Sequence, residues 1–228
     1  MLIVVVVAVG QLGNKATGTL VDPGTSYPAA LLDGHAIGKT TAPVTLDVYE
    51  DFQCPYCAQY SLSVEPIIVS DYVASGQARI VHHDFVFLDR VASDYESKLT
   101  AIGAYCADQQ GKYWIYAHWV YANQAGENAG GFRRERLTTI ATSAGLDAAA
   151  FSTCLDSQDA STFVAATTAT ANALPVGQTP TIYVNGTQWQ GTSLVASSIE
   201  ALIKTELAKA SASPAASTSP APSGSTTP

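Results

Sequence analysis

Two of the four cysteines in this 228-residue chain stand three apart, in Cys54-Pro55-Tyr56-Cys57. Thiols at that spacing can close a structural bridge, supply half of a tetrahedral metal site, or exchange electrons with other thiols. Their setting separates these uses. Before them Val44, Leu46 and Val48 alternate with Thr45 and Asp47, the period of a strand. After them Tyr60, Val64, Ile67, Ile68 and Tyr72 recur at helical spacing, with Pro66 predicting a kink. Cys54 therefore falls where strand gives way to helix, with Pro55 at the first helical position, which suits proline. There the free N–H groups of the first turn and the helix dipole favour thiolate, the nucleophilic form. The dipole supplies about 0.3–2 kcal/mol, whereas lowering a cysteine pKa from about 8.5 to about 4 takes roughly 6 kcal/mol. Direct hydrogen bonds from the first turn, and from the Cys57 thiol, have to provide the rest.

Cys57, one turn on and on the same face, is expected to lie deeper, and Cys54 to be exposed. A substrate thiolate would then attack Cys54 and expel Cys57; the substrate's second thiol would attack the mixed disulfide and expel Cys54. An inert bridge over so short a loop would constrain the unfolded chain little. Zinc needs more ligands than one C-x-x-C, and adjacent His82 and His83 on an alternating strand point to opposite faces, so no metal is expected. They read instead as one exposed residue and one satisfied core residue.

A second candidate is Gly177-Gln178-Thr179-Pro180-Thr181, just before an apolar strand. Proline there costs a ladder hydrogen bond. A cis Thr179–Pro180 bond would bring this backbone beside the dithiol and offer an edge to an extended substrate; an ordinary trans turn proline would not.

The elements that must hold these residues can be read from pattern. A second strand runs from Ala78 through ARIVHHDFVFL, and the order strand, helix, strand implies a parallel pair with a right-handed crossover. Residues 93–173 turn helical, punctuated by Gly111, Gly126, Gly130, Gly131 and Gly145. Within them Tyr113, Trp114, Tyr116, Trp119 and Tyr121 are too dense for one helix face; most should be core, and an exposed subset could rim Cys54. Strand character returns in TPTIYVNG, where Asn185-Gly186 signals a hairpin into a short strand through Trp189. A helix from Leu194 to Lys209 closes the domain.

With 47% hydrophobic and 13% charged residues the chain can bury a core without disulfides. Net charge −8 and a pI near 4.8 disfavour nucleic acid or an anionic membrane surface as partner, and Arg133, Arg134 and Arg136 read as a solvated helix face. An even cysteine count suits an oxidising compartment. The apolar run after Met1 is too short to span a bilayer and lacks a preceding basic residue. It reads as the trimmed end of an anchor or signal segment starting upstream, or else as an edge or buried strand. Gly10 to Pro28 reads as a linker or extended arm, the folded part is expected to begin near Leu31, and the Ser/Ala/Pro/Thr tract Ser211–Pro228 should be disordered.

FQCPYC after a strand, a long helical stretch and then TPTIYVNG resemble the DsbA-type thiol–disulfide oxidoreductases of the thioredoxin superfamily, over about Ala42 to Lys209. The resemblance implies an α/β thioredoxin fold split into residues 31–92 and 174–210 by a helical insertion at 93–173, with 1–30 and 211–228 as flanks. It implies a catalytic pair Cys54 and Cys57, a motif dipeptide Pro55-Tyr56, and a substrate loop in which cis Pro180, after Thr179, faces Cys54. It implies an enzyme with no cofactor beyond its own disulfide, acting outside the cytoplasm on reduced or unfolded secreted proteins. Reoxidation would fall to a quinone-linked membrane enzyme of the DsbB or vitamin K epoxide reductase kind, and the protein is expected to be monomeric and membrane-anchored. Two departures stand out. Many relatives carry a buried acid six residues before the first cysteine, and here that position is Val48, with Glu50 and Asp51 nearby on faces the sequence does not assign. Strongly oxidising members have Pro-His where this chain has Pro55-Tyr56.

Cys106 and Cys154 fall in the helical stretch, and some family members have a bridge there. They would be two buried thiols or, in an oxidising compartment, a stabilising disulfide. Two other functions fit the same residues: a disulfide reductase or isomerase, and a non-enzymatic extracellular binding module stapled by its C-x-x-C.

Overall fold

The computed structural model describes residues 18–91 and 95–212. Its centre is strand β3 (Val44–Glu50), whose Val44, Leu46 and Val48 are fully buried as the alternation requires. On one side β3 runs parallel to β4 (Ala78–Asp84), from Val44 opposite Ala78 to Glu50 opposite Asp84. On the other it pairs antiparallel with β5 (Thr181–Val184), Leu46 opposite Val184. With β1 (Leu32–Asp33), β2 (Ala36–Ile37) and β6 (Thr187–Gln188), the sheet order is β1-β2-β4-β3-β5-β6. The β1–β2 hairpin escapes a reading by pattern because two-residue strands carry no period. The β5–β6 turn has both Asn185 (φ 46°) and Gly186 (φ 77°) in the left-handed region, as a tight hairpin demands. The Asn185 side chain also ties the turn to β3, accepting from the Thr45 N–H at 2.8 Å and donating to the Pro43 carbonyl at 3.1 Å.

The helix after the dithiol is not simply kinked at Pro66. It runs as α1 (Pro55–Gln59), a widened π-type turn (Tyr60–Val64), α2 (Glu65–Ile68) and a second widened turn (Val69–Val73). Pro66 has no N–H to offer, and the wide turns on either side absorb the irregularity. Between β4 and β5 come α3 (Glu96–Asp108), α4 (Tyr113–Ala122), α5 (Arg134–Ser143), α6 (Ala148–Cys154) and α7 (Gln158–Asn172). Cys106 of α3 is bonded to Cys154 of α6. The dense aromatics of α4 are core: Tyr113, Trp114, Tyr116 and Tyr121 are buried and Trp119 is partly so, and they form no rim at Cys54. Tyr116 can pack on α3 because its hydroxyl lies where a Cβ on Gly103 would be.

The closing helix α8 spans Ala196–Ala212, buries Ile199 and Ile203, and packs on α2, β3 and β5. Ser211 and Ala212, expected to begin a disordered tail, are its last residues; the rest of that tail and the apolar run after Met1 lie outside the described residues. Nor do residues 18–28 behave as a linker. Asn123 holds Val21 with two hydrogen bonds, of 2.8 and 2.9 Å, and the Tyr27 hydroxyl reaches the buried Glu65 at 2.8 Å. The fold thus begins earlier than Leu31, because an aromatic and an amide in an aperiodic stretch find long-range partners that no local pattern reveals. Among the described residues no helix is long and apolar enough to cross a membrane.

Candidate active site

β3 ends at Glu50, and Asp51 secures the loop leading into α1. Its buried carboxylate accepts from the N–H groups of Gln53, Phe87 and Leu88 and from the Ser97 hydroxyl, at 2.7–2.9 Å. Burial pushes its pKa up and these donors oppose the rise. The Gln124 amide donates to the carbonyls of Phe52 and Cys54, at 2.8 and 2.9 Å, pinning the turn from outside. Cys54 then caps α1 in extended conformation, with Pro55 starting the helix.

Both cysteines are free thiols. Cys57 is fully buried, as expected, but Cys54 retains only 5% exposure, so the nucleophile is not exposed as its position at a helix start suggested. The loop ahead of β5 covers it. The Thr179–Pro180 peptide is cis, and the Thr179 carbonyl oxygen lies 3.2 Å from Cys54 Sγ. Tyr56, 63% exposed, stands beside it.

The two thiols differ electrostatically. Cys54 is lowered to about 6, first by a hydrogen bond from the Cys57 thiol; burial opposes this, and the Thr179 side chain and the N–H groups of Cys57 and Tyr56 add to it. Cys57 is pushed well up, first by burial, then by its bond to Cys54 and by the charges of Glu50 and Cys54. At neutral pH the reduced pair is a Cys54 thiolate hydrogen-bonded by a Cys57 thiol.

The acid missing at Val48 is two residues on. Glu50 shares a strand face with Val48, by the period of two, and is buried near enough to Cys57 for its charge to raise that thiol. Its pKa is raised well above the carboxylate range, first by burial, then by Glu65, Asp84 and Cys54. His82 of β4 contacts two carboxylates through one nitrogen, with Nε2 2.6 Å from Glu65 Oε2 and 3.1 Å from Glu50 Oε2. His82 is the buried one of its pair; His83, on the other face, meets Asp47 at 2.9 Å and stacks on Tyr49. Burial pushes Glu65 up, but the His82 charge and the hydrogen bond from His118 outweigh it and hold Glu65 at about 2. Glu50, Glu65 and His82 each place one ligand-type atom within 4.8 Å of the others. A 2.6 Å contact suits an ion pair rather than two ligands of a tetrahedral metal with bonds of about 2.0–2.1 Å, whose separation would be about 3.3 Å. Glu65, His118 and Tyr27 gave no signal in the sequence: each sits on an apparently ordinary helix or arm.

Beside Cys54 lies a groove of about 540 Å³, lined by Tyr56, Gln59, Gln178–Pro180, Trp189 and Leu194, with the Gln59 amide donating to the Leu194 carbonyl at 3.0 Å. Trp189 folds back over Gly191, where a Cβ would collide with its ring.

A family model described as thioredoxin matches residues 31–205. The chain belongs to the thioredoxin family. A Bacillus cereus protein named as a probable disulfide bond formation protein D is 26% identical over 188 residues, covering 81% of this chain and 84% of that one. BdbD from Bacillus subtilis, solved in its oxidised form, superposes with a TM-score of 0.68 at 21% identity, over 77% of this chain and 93% of that one. Alpha-DsbA1 of Wolbachia pipientis superposes with a TM-score of 0.67 at 19% identity, over 83% and 98%. These two structures share the fold of this chain.

Proposed function

We propose that this thioredoxin-family protein is an oxidant that donates its Cys54–Cys57 disulfide to reduced proteins outside the cytoplasm. The observation that carries the reading is the contrast between a Cys54 thiol lowered to about 6, against the Thr179 carbonyl, and a buried Cys57 thiol pushed far up. A substrate thiolate attacks Cys54 Sγ, forming the mixed disulfide and breaking the Cys54–Cys57 bond. Cys57 leaves as thiolate and takes a proton from the buried Glu50 carboxyl. The substrate's second thiolate attacks its own sulfur in the mixed disulfide, and Cys54 departs as a thiolate that needs no proton at neutral pH. Two substrate thiols are oxidised and one protein disulfide is reduced.

The name of the Bacillus cereus relative supports the direction of electron flow. Low thiol pKa in the reduced pair stabilises that form, and a stabilised dithiol is an oxidising disulfide. Reoxidation by a quinone-linked membrane enzyme of the DsbB or vitamin K epoxide reductase kind, action as a monomer, and attachment to the envelope through a segment before residue 18 complete the reading. The deciding experiment incubates oxidised protein with a reduced, unfolded test protein and counts remaining thiols. Wild type should consume them in parallel with its own disulfide and Cys54→Ser should not; activity retained by the variant would end the proposal.

A further inference from the structure

His82 has one Nε2 and two carboxylates beside it, Glu65 at 2.6 Å and Glu50 at 3.1 Å, neither aligned as a hydrogen bond. One imidazole nitrogen can serve one carboxylate fully, and two buried carboxylates sharing it cannot both stay ionised cheaply. What differs between them lies on their far sides. Glu65 Oε1 accepts from the Tyr27 hydroxyl at 2.8 Å and lies 3.1 Å from His118 Nε2. Both oxygens of Glu50 lack a hydrogen-bond partner among the described residues. We propose, on the reading above, that Tyr27 and His118 settle this competition: by binding Glu65 they commit His82 to it and leave Glu50 holding the proton that Cys57 takes.

Every element around the cluster is consistent with that division. From β4 itself Asp84 accepts from Tyr113 at 2.7 Å and faces His35 at 3.6 Å, and its charge works against ionisation of Glu50. From α4, the Tyr113 hydroxyl is 3.5 Å from His82 Nδ1, and the Trp114 ring packs on His82 at 4.4 Å. From the turn after α1, Tyr60 lies 6.4 Å from His82, ring to ring, and brings no charge at neutral pH. From the arm, the Tyr27 ring stands edge-on to Trp114 and His118, at 5.8 and 5.1 Å, which aims its hydroxyl at Glu65. The low pKa of Glu65 and the high one of Glu50 agree with the same assignment. Tyr27 is thus a positioning residue, joined to the active site through Glu65, His82 and Glu50 although it lies 27 residues before Cys54 and outside the segment matched by the family model.

The test reads the carboxyls directly, by carbon-13 NMR titration of glutamate-labelled reduced protein. Glu50 should be neutral at pH 7 in the wild type. In Tyr27→Phe, which removes one hydroxyl from a partly exposed ring, its midpoint should fall by about 0.5–1 pH unit, roughly half of the 1–2 units that a hydrogen bond to the charged Glu65 carries, passed on through His82. In Glu65→Gln, His82 should turn to Glu50 and leave it ionised at pH 7. A wild-type Glu50 ionised at pH 7, or a midpoint unmoved in Tyr27→Phe, would overturn the proposal; should Glu65→Gln not fold, Tyr27→Phe alone decides. A pair inert toward glutathione disulfide would sink the oxidoreductase reading and leave this titration intact, so the two failures are distinct.

Discussion

The sulfur of Cys54 and the carbonyl oxygen of Thr179 lie 3.2 Å apart, although 125 residues separate them in sequence. One comes from the strand-to-helix junction and the other from the loop entering β5, and the β3–β5 pairing brings them together. That contact decides what the thiol can do: the same loop that covers the sulfur supplies the backbone on which a substrate can lie.

The Cys54 thiol should ionise near pH 6, and Cys57 should not ionise below pH 9. Ultraviolet absorbance of the thiolate in reduced protein, with Cys54→Ser as blank, measures this. Because the folded pKa of Cys54 lies below its ordinary value of 9.0, its contribution to the stability of the reduced form is complete above pH 9 and lost as pH falls through about 6. The reduced protein should therefore gain on the oxidised protein in urea midpoint as pH rises from about 6 to 9, and equal midpoint differences across that window would contradict the assignment.

Glu50→Gln should slow release of Cys57 and yet stabilise the fold. The folded pKa of Glu50 is raised, so its contribution to stability is fully present below the ordinary carboxylate value and declines as pH rises toward the folded one. Glutamine, always neutral, escapes that loss. Chemical denaturation should find the variant at least about 1 kcal/mol more stable at pH 8 and the gap narrower at pH 4. Exchange with a dithiol substrate should be about tenfold slower in the variant.

Trp189→Ala should separate peptide binding from chemistry. The ring lines the groove together with Thr179 and Pro180. Oxidation of a cysteine-containing peptide should fall about tenfold while reaction with glutathione, too small to reach the wall, stays within twofold. Parallel losses for both thiols would place Trp189 in the support of the site instead.

Replacing Cys106 and Cys154 together by alanine opens a loop spanning 48 residues of sequence separation. Chain-entropy arguments give about 4 kcal/mol for such a loop, which for a chain of this size lowers Tm by roughly 8–16 °C. Calorimetry of the double variant checks this, and a Tm unchanged within about 2 °C would mean the bridge constrains little in the unfolded chain.

Much of the site was legible because it is local. A C-x-x-C at the end of an alternating strand, a proline at the first helical position and a T-P ahead of an apolar run are short patterns whose physics is set by neighbours in sequence. The parallel pairing of β3 with β4, the Asn185-Gly186 hairpin and the core role of most α4 aromatics follow from the same rules. The strands Leu32–Asp33 and Ala36–Ile37 were not legible, nor was the packing of residues 18–28, since segments this short or aperiodic take their structure from what they meet.

The sequence by itself determined that two thiols stand three apart and where the chain turns from strand to helix beside them, because dihedral preferences and side-chain period act within a few residues. Only the tertiary structure decided that Cys54 lies under the Thr179 loop, that the charge of Glu50 reaches Cys57, and that Tyr27 and His118 reach the same carboxylate. Those choices depend on which faces meet when the sheet closes and the helices pack, and a buried charge is fixed by its whole surroundings rather than by its neighbours along the chain.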